Sequence, residues 1–441
     1  MLSEIKRQIE QTSGVHDWSL RAISKKSTQH YVIGDRTESR RQVTTERVLA
    51  HVLNDHAGAN GDGMFRGETL ITLLESDRPR LSARLSDAVF MASLSDNPVW
   101  SLPGASSYPE VAMTEPEIQT NPHVVAEQLI AQVGEALRDK PGVRLSSAEA
   151  FVEEERVEFL NSQGAQGSQV ATHVMLEMVL LAAGHGDEME SNIGCERRRA
   201  RDLDVADLVD RHAQYARDAL VATAPTTGTY PVVVSDEALD ELLMGGGDSP
   251  LVFGSSAQAR YQKMTSWQPG QSIFKEAPVG EPFTFFSNAL LPYGVRSRAV
   301  EDDGLPAQRL LVVKDGILEH LWGPSRYAEY LQLPATGAFG NMEIGGGSQS
   351  YDALLSEPGP LYHIVSFSAM SPDPITGDFV GEIRLGYELR SGQRRPVRGG
   401  SISGNLLSAL AAARWSSETA FLGSYHGPRA AYFPQITVAG A

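Results

Sequence analysis

Zinc hydrolases usually carry histidines on one helical face with a glutamate between them, commonly four residues apart. The chain has eleven histidines, and no two of them are four positions apart. His51 and His56 are five apart in a segment that is typical of a strand and its exit, so they would not share a face. The histidine pattern therefore predicts no hydrolytic zinc site in this chain.

The densest group of potential metal ligands is "HGDEMESNIGCE", from His185 to Glu196. Its ligands are unevenly spaced in a polar stretch, which is typical of a solvated acidic loop rather than of a metal site. Cys195 lies in the same stretch, with no histidine near it in sequence except His185. A single cysteine on a charged loop is more often incidental than a reactive nucleophile.

Other catalytic motifs are missing from the sequence. There is no G-x-S-x-G nucleophile elbow. The glycine runs "MGGGDS" at 244–249 and "IGGGS" at 344–348 fit neither a phosphate-binding loop nor a dinucleotide fingerprint, and we interpret both as loops. His212 lies on an apolar helical face, which favours a packed histidine over a catalytic base. The residues therefore provide no complete catalytic set.

The composition of the chain excludes several classes of protein. The chain has 441 residues, a net charge of -17 and one cysteine. The acidic balance argues against direct nucleic acid binding, because the densest basic stretches, 196–201 and 390–398, are short. One cysteine excludes an intrachain disulfide framework and a Cys-rich zinc site. No apolar run reaches the roughly 18–20 residues of a membrane span, and the N-terminus lacks a signal-peptide core. These features favour a cytoplasmic protein.

Elements in the first half alternate between strands and long helices. The pattern predicts strands at 17–24, 28–34 and 41–53, a helix at 68–93, a helix from Asn121-Pro122 to about Asp139, three strands within 148–183 and a helix at about 203–222. The composition then changes near 224–228.

The second half has more glycine and proline and shorter strands. The pattern predicts strands at 228–235 and 433–440, helices at 236–244, 324–332 and 404–414, and hairpins that turn at Asp315-Gly316 and Ser391-Gly392. The whole is an α+β protein of two domains. Residues 1–224 form an N-terminal domain of strands and long helices, and residues 225–441 form a largely antiparallel, β-rich domain with short helices.

Several segments of the second half resemble the TldD/TldE (PmbA) family, once called modulators of DNA gyrase. They are "GTYPVVVS" (228–235), the segment 285–331, "SPDPITGDFVGEIRLGYELRSGQRRPVRGGSISGNLLSAL" (371–410) and "FPQITVAG" (433–440). The first half fits more loosely, through "GMFRG" and "VEFLNSQG" (157–164). The resemblance covers nearly the whole chain. "YELRSG" stands where the family usually has "IENG", a change confined to one turn.

The resemblance implies a pair of subunits. The TldD-type subunit has HExxxH just after its "PVVL" strand and a third zinc ligand near its C-terminus. Here "PVVV" (231–234) is followed by Ser235–Leu242, which has no histidine, and the later segment 423–434 has His426 but no cysteine. The chain therefore resembles the metal-free TldE-type subunit. We expect it to hold no catalytic or metal-binding residue of its own, and we expect zinc in a TldD-like partner.

The acidic segment after "PVVV" has a second interpretation. Carboxylates at Asp236, Glu237, Asp240 and Glu241 could in principle hold a hard cation, but carboxylates alone hold zinc poorly compared with imidazole. The spacing instead favours an acidic amphipathic helix that buries the apolar residues Ala238, Leu239, Leu242 and Leu243.

The resemblance also implies a function and a surface. It implies a non-catalytic subunit of a heterodimeric zinc metallopeptidase that processes unfolded or short peptides, with no direct contact to nucleic acid or membrane. Six residues are expected to face the substrate chamber or the partner: Thr376, Gly377, Asp378, Phe379, Asn405 and His426. Three alternatives stay open from the residues alone. They are a pair that tailors a peptide-derived or amino-acid-derived natural product, a binding protein that regulates a topoisomerase, and a homodimer that acts alone.

Overall fold

The computed structural model describes residues 1–58, 63–184, 186–245 and 249–440. The N-terminal half contains α1 (Leu2–Gln11), β1 (Asp17–Ile33), β2 (Arg36–Ala57), β3 (Met64–Leu73), α2 (Leu81–Ala92), α3 (Pro116–Thr120), α4 (Pro122–Leu137), β4 (Val143–Asn161), β5 (Gln166–Gly184), β6 (Asp187–Arg197) and α5 (Val205–Val221). Short 3-10 helices cover Glu75–Arg80 and Ala200–Asp202.

The second half is richer in short strands. It contains β7 (Gly228–Ser235), α6 (Glu237–Met244), α7 (Pro250–Gly254), α8 (Ala257–Tyr261), β8 (Phe285–Asn288), β9 (Arg309–Lys314), β10 (Ile317–Leu318), α9 (Ser325–Leu331), β11 (Asn341–Ile344), α10 (Tyr351–Leu355), β12 (Leu361–Pro372), β13 (Asp378–Arg390), β14 (Gln393–Val397), β15 (Ser401–Asn405), α11 (Leu406–Leu410), β16 (Arg414–Trp415), β17 (Thr419–Leu422), β18 (Tyr425–Pro428) and β19 (Ala430–Ala439).

The N-terminal half is built on one antiparallel sheet with the strand order β3-β2-β1-β4-β5-β6. Every second residue of β5 is buried from Val174 to Ala182, as a sheet covered on one face requires. Helices α4 and α5 pack on β4, β5 and β6 through residues such as Leu129 and Val209. Helices α1 and α2 cover the opposite end of the sheet, where Ile5 is fully buried.

The C-terminal half is built around a closed ring of strands. Strand β7 pairs with β12 and β19, β19 pairs with β15, β15 pairs with β13, and β13 pairs back with β12. A third sheet has the order β10-β9-β8-β11-β18-β17. The ring, this sheet and α6 share one apolar core that includes Val234, Leu239, Val312, Met342 and Ile383. The α+β class is therefore confirmed, with two differently built halves. The boundary at 224 stays a prediction.

The helix predicted at 68–93 is wrong in its first part. Residues up to Leu73 belong to β3, which pairs with β2, and α2 begins only at Leu81. The spacing of Leu70, Leu73 and Leu74 imitates a helix, but only Leu73 is buried, and Leu70 is 63% exposed. Pairing with β2 therefore overrides the local pattern.

Other first-half boundaries also change. The strands predicted at 17–24 and 28–34 are one strand, β1, and the three strands predicted within 148–183 are two, β4 and β5. The stretch predicted as an acidic loop is β6, in which buried Ser191, Ile193 and Cys195 alternate with exposed polar residues. The loop prediction is wrong because polar composition hid this alternation. His185 and residues 246–248 of the first glycine run lie outside the described residues.

The β13–β14 hairpin turns at the two residues that the sequence predicts. Ser391 and Gly392 have φ angles of 52° and 76°, as a two-residue type I′ turn requires. The helix predicted at 404–414 is shorter, since α11 covers only Leu406–Leu410. Strand β19 starts three residues before the predicted Phe433, at Ala430. In the described parts of the chain, no helix is both long and apolar enough to cross a membrane.

A pair of glycine substitutions tests the packing of α2 on β3. A Cβ at position 67 would overlap the carbonyl oxygen of Ala92, so Gly67→Ala should force α2 away from β3 and destabilise the protein by about 1–3 kcal/mol. Gly134→Ala is the control, because Gly134 is exposed on α4 with open space around it. It should raise stability by about 0.5–1 kcal/mol. Chemical denaturation measures both changes, and equal effects would contradict the packing.

Candidate functional site

A cleft of about 990 Å³ opens between α5, α10 and the β13–β14 hairpin. Its walls come from both halves of the chain, since Asp210 and Gln214 lie on α5 whereas Tyr351 and Arg394 lie on α10 and β14. Its floor contains His363 of β12 and Asp236, the residue that joins β7 to α6. We call this space the inter-half cleft.

The corner between β7 and α6 is strained. Asp236 has φ 52° and ψ -128°, a conformation that side-chain-bearing residues rarely adopt and that costs about 1–3 kcal/mol. Two contacts with Arg429 hold it: the Asp236 N–H donates to the Arg429 carbonyl at 2.8 Å, and Arg429 Nε donates to the Asp236 carboxylate at 2.7 Å. Strain of this kind, fixed by surrounding contacts, is a feature of functional sites.

Three polar groups meet behind this corner. Ser235 Oγ lies 2.9 Å from His363 Nε2, and the Tyr351 hydroxyl lies 3.2 Å from both atoms. Burial lowers the pKa of His363 to about 3, and the guanidinium groups of Arg394 and Arg429 act in the same direction. The imidazole is therefore neutral near pH 7 and a weak base.

The arrangement does not make a serine hydrolase. Ser235 is fully buried, so substrate cannot reach its hydroxyl. In the described part of the chain, no carboxylate hydrogen-bonds to His363 to orient it as the third member of a triad. We infer that Ser235, His363 and Tyr351 stabilise the floor of the cleft and make it polar, and that they do not perform covalent catalysis.

Four guanidinium groups line the inter-half cleft, and they differ in their partners. Arg211 donates to both oxygens of Glu237 at 3.1 and 3.2 Å, and Arg429 is engaged by Asp236. Arg394 instead stacks on the ring of Tyr387, with its Cζ 3.5 Å from the ring centroid. Across the described ranges, neither Arg390 nor Arg394 has a carboxylate within 4.0 Å. The cleft therefore has free positive charge on the hairpin side.

Helix α6 fits the amphipathic prediction. Its four predicted apolar residues are at most 1% exposed: Ala238, Leu239, Leu242 and Leu243. Among its acidic residues, Asp240 has one carboxylate oxygen, Oδ1, that is buried without a hydrogen-bond partner. Burial raises the pKa of Asp240 to about 7. Within the described residues, no three His, Cys, Asp or Glu side chains are placed to hold a metal ion.

Four of the six residues predicted for the chamber or the partner surface form one unit, which we call the capped loop: Thr376, Gly377, Asp378 and Asn405. Asn405 Nδ2 donates to the Thr376 carbonyl and to Asp378 Oδ1, each at 2.9 Å. Its Oδ1 accepts the Ser408 N–H and so caps α11. Gly377 has φ 79°, which lets the loop turn back onto Asn405. Thr376 and Asp378 are exposed, Asn405 is half-buried and Gly377 is buried. The predicted role of the unit stays a prediction.

The other two predicted residues lie elsewhere. Phe379 was expected to face the substrate chamber or the partner. It is instead 3% exposed and packs in the shared core, so this expectation is corrected. His426 lies on β18, opposite Glu343 of β11, and its Nδ1 is buried without a hydrogen-bond partner. None of the six predicted residues lines the inter-half cleft.

Two residues judged unreactive from sequence are buried. His212 accepts or donates one hydrogen bond with Ser191 at 2.8 Å, and burial lowers its pKa to about 4, which fits a packed histidine. Cys195 lies inside β6 rather than on a loop, and burial raises the pKa of its thiol to about 11. Its thiolate is therefore disfavoured near neutral pH.

The residues of the cleft floor were missed from sequence. Ser235 and His363 are 128 positions apart, and only the parallel pairing of β7 with β12 brings them together. The one signal in the sequence for this floor was the polar pair Ser235-Asp236 at the end of an apolar strand. We considered that segment only as a possible source of zinc ligands.

Comparisons with known proteins find similarity to one family. Residues 227–440 match the family described as the PmbA/TldA metallopeptidase C-terminal domain. The Escherichia coli O157:H7 protein "Metalloprotease PmbA" is 26% identical over 255 residues, which cover 56% of this chain and 54% of that protein. A "Metalloprotease" of Archaeoglobus fulgidus is 25% identical over 305 residues, covering 64% and 67%. The chain thus spans little more than half of the first relative.

The fold extends over the full length. The crystal structure of TldE from Thermococcus kodakarensis superposes with a TM-score of 0.84 and 17% identity, and the match covers 100% of both chains. The likeness shows that the two proteins share a fold. Together with the family match, it confirms the resemblance seen in the sequence.

The buried carboxylate of Asp240 predicts a pH dependence of stability. Its pKa in the folded protein, about 7, lies above its ordinary value of 3.8. The folded state therefore holds this proton more tightly, and stability falls as pH rises from about 4 through 7. Asp240→Asn removes this loss, so the free energy of unfolding of the variant, relative to wild type, should rise from pH 5 to pH 8. Urea denaturation at each pH measures it.

Asp35→Asn is the matched control, because Asp35 is exposed in the β1–β2 turn. It should show no such rise between pH 5 and pH 8. Parallel pH profiles for Asp240→Asn and wild type would show that Asp240 is not held in the protonated form.

Proposed function

We propose that this chain, whose residues 227–440 match the PmbA/TldA metallopeptidase C-terminal domain, is the subunit without a zinc site in a two-subunit zinc peptidase. The pair would act on unfolded or short peptides. The observation that carries the proposal is the chemistry of the segment after β7, where Ser235–Met244 provides carboxylates and apolar residues and no imidazole.

The carboxylates of this segment do not fit a zinc ion. Asp236 is engaged by Arg429 and Glu237 by Arg211, so their oxygens already accept charged hydrogen bonds. Burial raises the pKa of Asp240 to about 7, so this side chain gives up the proton that a metal ligand must lose less readily than an ordinary aspartate does. His426, in the region of the family's later ligand, lies on β18 with no cysteine in the segment around it. In the proposed pair, a partner that carries HExxxH supplies the zinc chemistry.

The role left to this chain is structural. It would form part of the wall of the chamber in which the partner's zinc acts, and would admit extended chains while excluding folded proteins. Exposed sheet edges can hold an extended peptide by strand addition. The capped loop is the candidate partner surface, because its conformation is fixed by hydrogen bonds before any partner arrives.

The experiment that tests the proposal is capture of the tagged chain from its native host, followed by native mass spectrometry with metal retained. We expect a one-to-one complex with an HExxxH protein and one zinc ion, and we expect the zinc to stay with the partner after the subunits are separated. A homodimer without such a partner, or zinc that stays with this chain, would contradict the proposal.

A second prediction concerns the capped loop. Asp378→Ala removes an exposed carboxylate that Asn405 orients, and should weaken association with the partner by about tenfold or more. Asp35→Ala removes an exposed carboxylate in a distant turn and should leave association unchanged. Titration calorimetry of the two subunits measures both. Equal affinity for wild type and Asp378→Ala, with the fold intact by circular dichroism, would remove the loop from the partner surface.

A further inference from the structure

We propose that the inter-half cleft binds the C-terminal carboxylate of a peptide, with Arg394 as the residue that recognises it. The peptide nature of the ligand rests on the proposed function, whereas the preference for a carboxylate rests on the charges and contacts of the cleft itself.

The acidic residues of the cleft are mostly neutralised by neighbours. Asp210 pairs with Lys140 at 2.5 Å, Glu357 with Arg414 at 2.7 Å, and Asp236 with Arg429 at 2.7 Å. Of the lining carboxylates, only Asp352 has no ion pair within the described residues, whereas both arginines of the hairpin end are free of carboxylates. The surplus charge in the cleft is therefore positive, which favours an anionic ligand.

Arg394 is preorganised to bind such a ligand. Its guanidinium Cζ lies over the Tyr387 ring, 3.5 Å from the centroid, and the Tyr387 hydroxyl donates a hydrogen bond to Asp218 at 2.8 Å. A cation–π contact of this kind does not use the N–H groups as hydrogen-bond donors. Within the described residues these N–H groups have no hydrogen-bond acceptor. A planar fork of donors matches the two oxygens of a carboxylate.

The floor of the cleft adds to this preference. His363 is 5% exposed, and the guanidinium groups of Arg394 and Arg429 both act on it. Asp236 pairs with Arg429 in the same floor, whereas Arg394 has no carboxylate within 4.0 Å among the described residues. An anion in the cleft would therefore balance the charge of Arg394.

The size and remaining walls of the cleft favour the end of a chain over a small ion. Its volume of about 990 Å³ is many times that of a carboxylate group alone. Leu355, Pro358 and Leu389 provide apolar wall beside the arginines. These surfaces suit the side chains of the residues that precede a terminal carboxylate.

Binding of two labelled peptides to the full chain tests the inference. The probes are a short alanine- and leucine-containing peptide, fluorescein-labelled at its N-terminus, with a free C-terminal carboxylate or with a C-terminal amide. Fluorescence anisotropy should show that the acid binds roughly ten- to a hundredfold more tightly than the amide. Arg394→Gln should reduce the affinity for the acid to that for the amide.

Matched variants sharpen the result. Arg36→Gln removes an exposed arginine of β2 that has no carboxylate within 4.0 Å in the described chain, and should leave both affinities unchanged. Arg394→Lys keeps the charge but loses the fork, so it should retain only part of the discrimination. Equal affinity for acid and amide, or an Arg394→Gln variant that binds the acid like wild type, would overturn the inference.

Three further outcomes distinguish this inference from binding of a free anion and from the proposed function. Displacement of the acid peptide by inorganic phosphate at concentrations near the peptide Kd would assign the cleft to a free anion and overturn the inference. Carboxylate-dependent peptide binding in a chain that captures no zinc partner would support the inference and refute the proposed function. An active zinc pair that binds acid and amide equally would support the proposed function and refute this inference.

Discussion

The structure depends on the placement of β7 between two strands that run in opposite senses. Strand β12 pairs with it in parallel and β19 in antiparallel register, so Val232, Val233 and Val234 are fully buried. A parallel pair cannot be joined by a tight turn. The connection from β7 to β12 therefore runs through α6 to α10 and supplies four strands of the third sheet, β8 to β11. One pairing thus organises most of the C-terminal half.

The same pairing creates the inter-half cleft. Where the apolar run of β7 ends, Ser235 and Asp236 lie beside His363, because His363 is in register with Val233 on the parallel neighbour. Polar groups at the end of a buried strand must find partners, since an unpaired one costs about 1–3 kcal/mol. Tyr351 and Arg429 satisfy them, and Arg429 also holds the strained backbone of Asp236. Among the described residues, the arginines of the cleft lining without a carboxylate partner lie on the hairpin side, at Arg390 and Arg394.

Much of this could be read from the sequence, and the failures have physical causes. A continuous apolar run predicted β7, alternation of apolar residues predicted the β13–β14 hairpin, and the Asn121-Pro122 start predicted α4. Strand β6 was missed because only one face of it is buried and its other face is densely charged. The capped loop assembled as a unit because Asp378 pairs in register with Asn405. The cleft could not be predicted, because its residues meet only through strand pairing across more than a hundred positions.

In the proposed function, the pair is a peptidase whose chemistry comes from the partner while this chain completes the chamber. The decisive experiment measures cleavage of an unfolded peptide by each purified subunit and by the reconstituted pair. We predict that the pair cleaves the peptide, that each subunit alone is much less active, and that replacing the glutamate of the partner's HExxxH abolishes the activity. Cleavage by this chain alone, or by the partner at the full rate without it, would refute the proposed function.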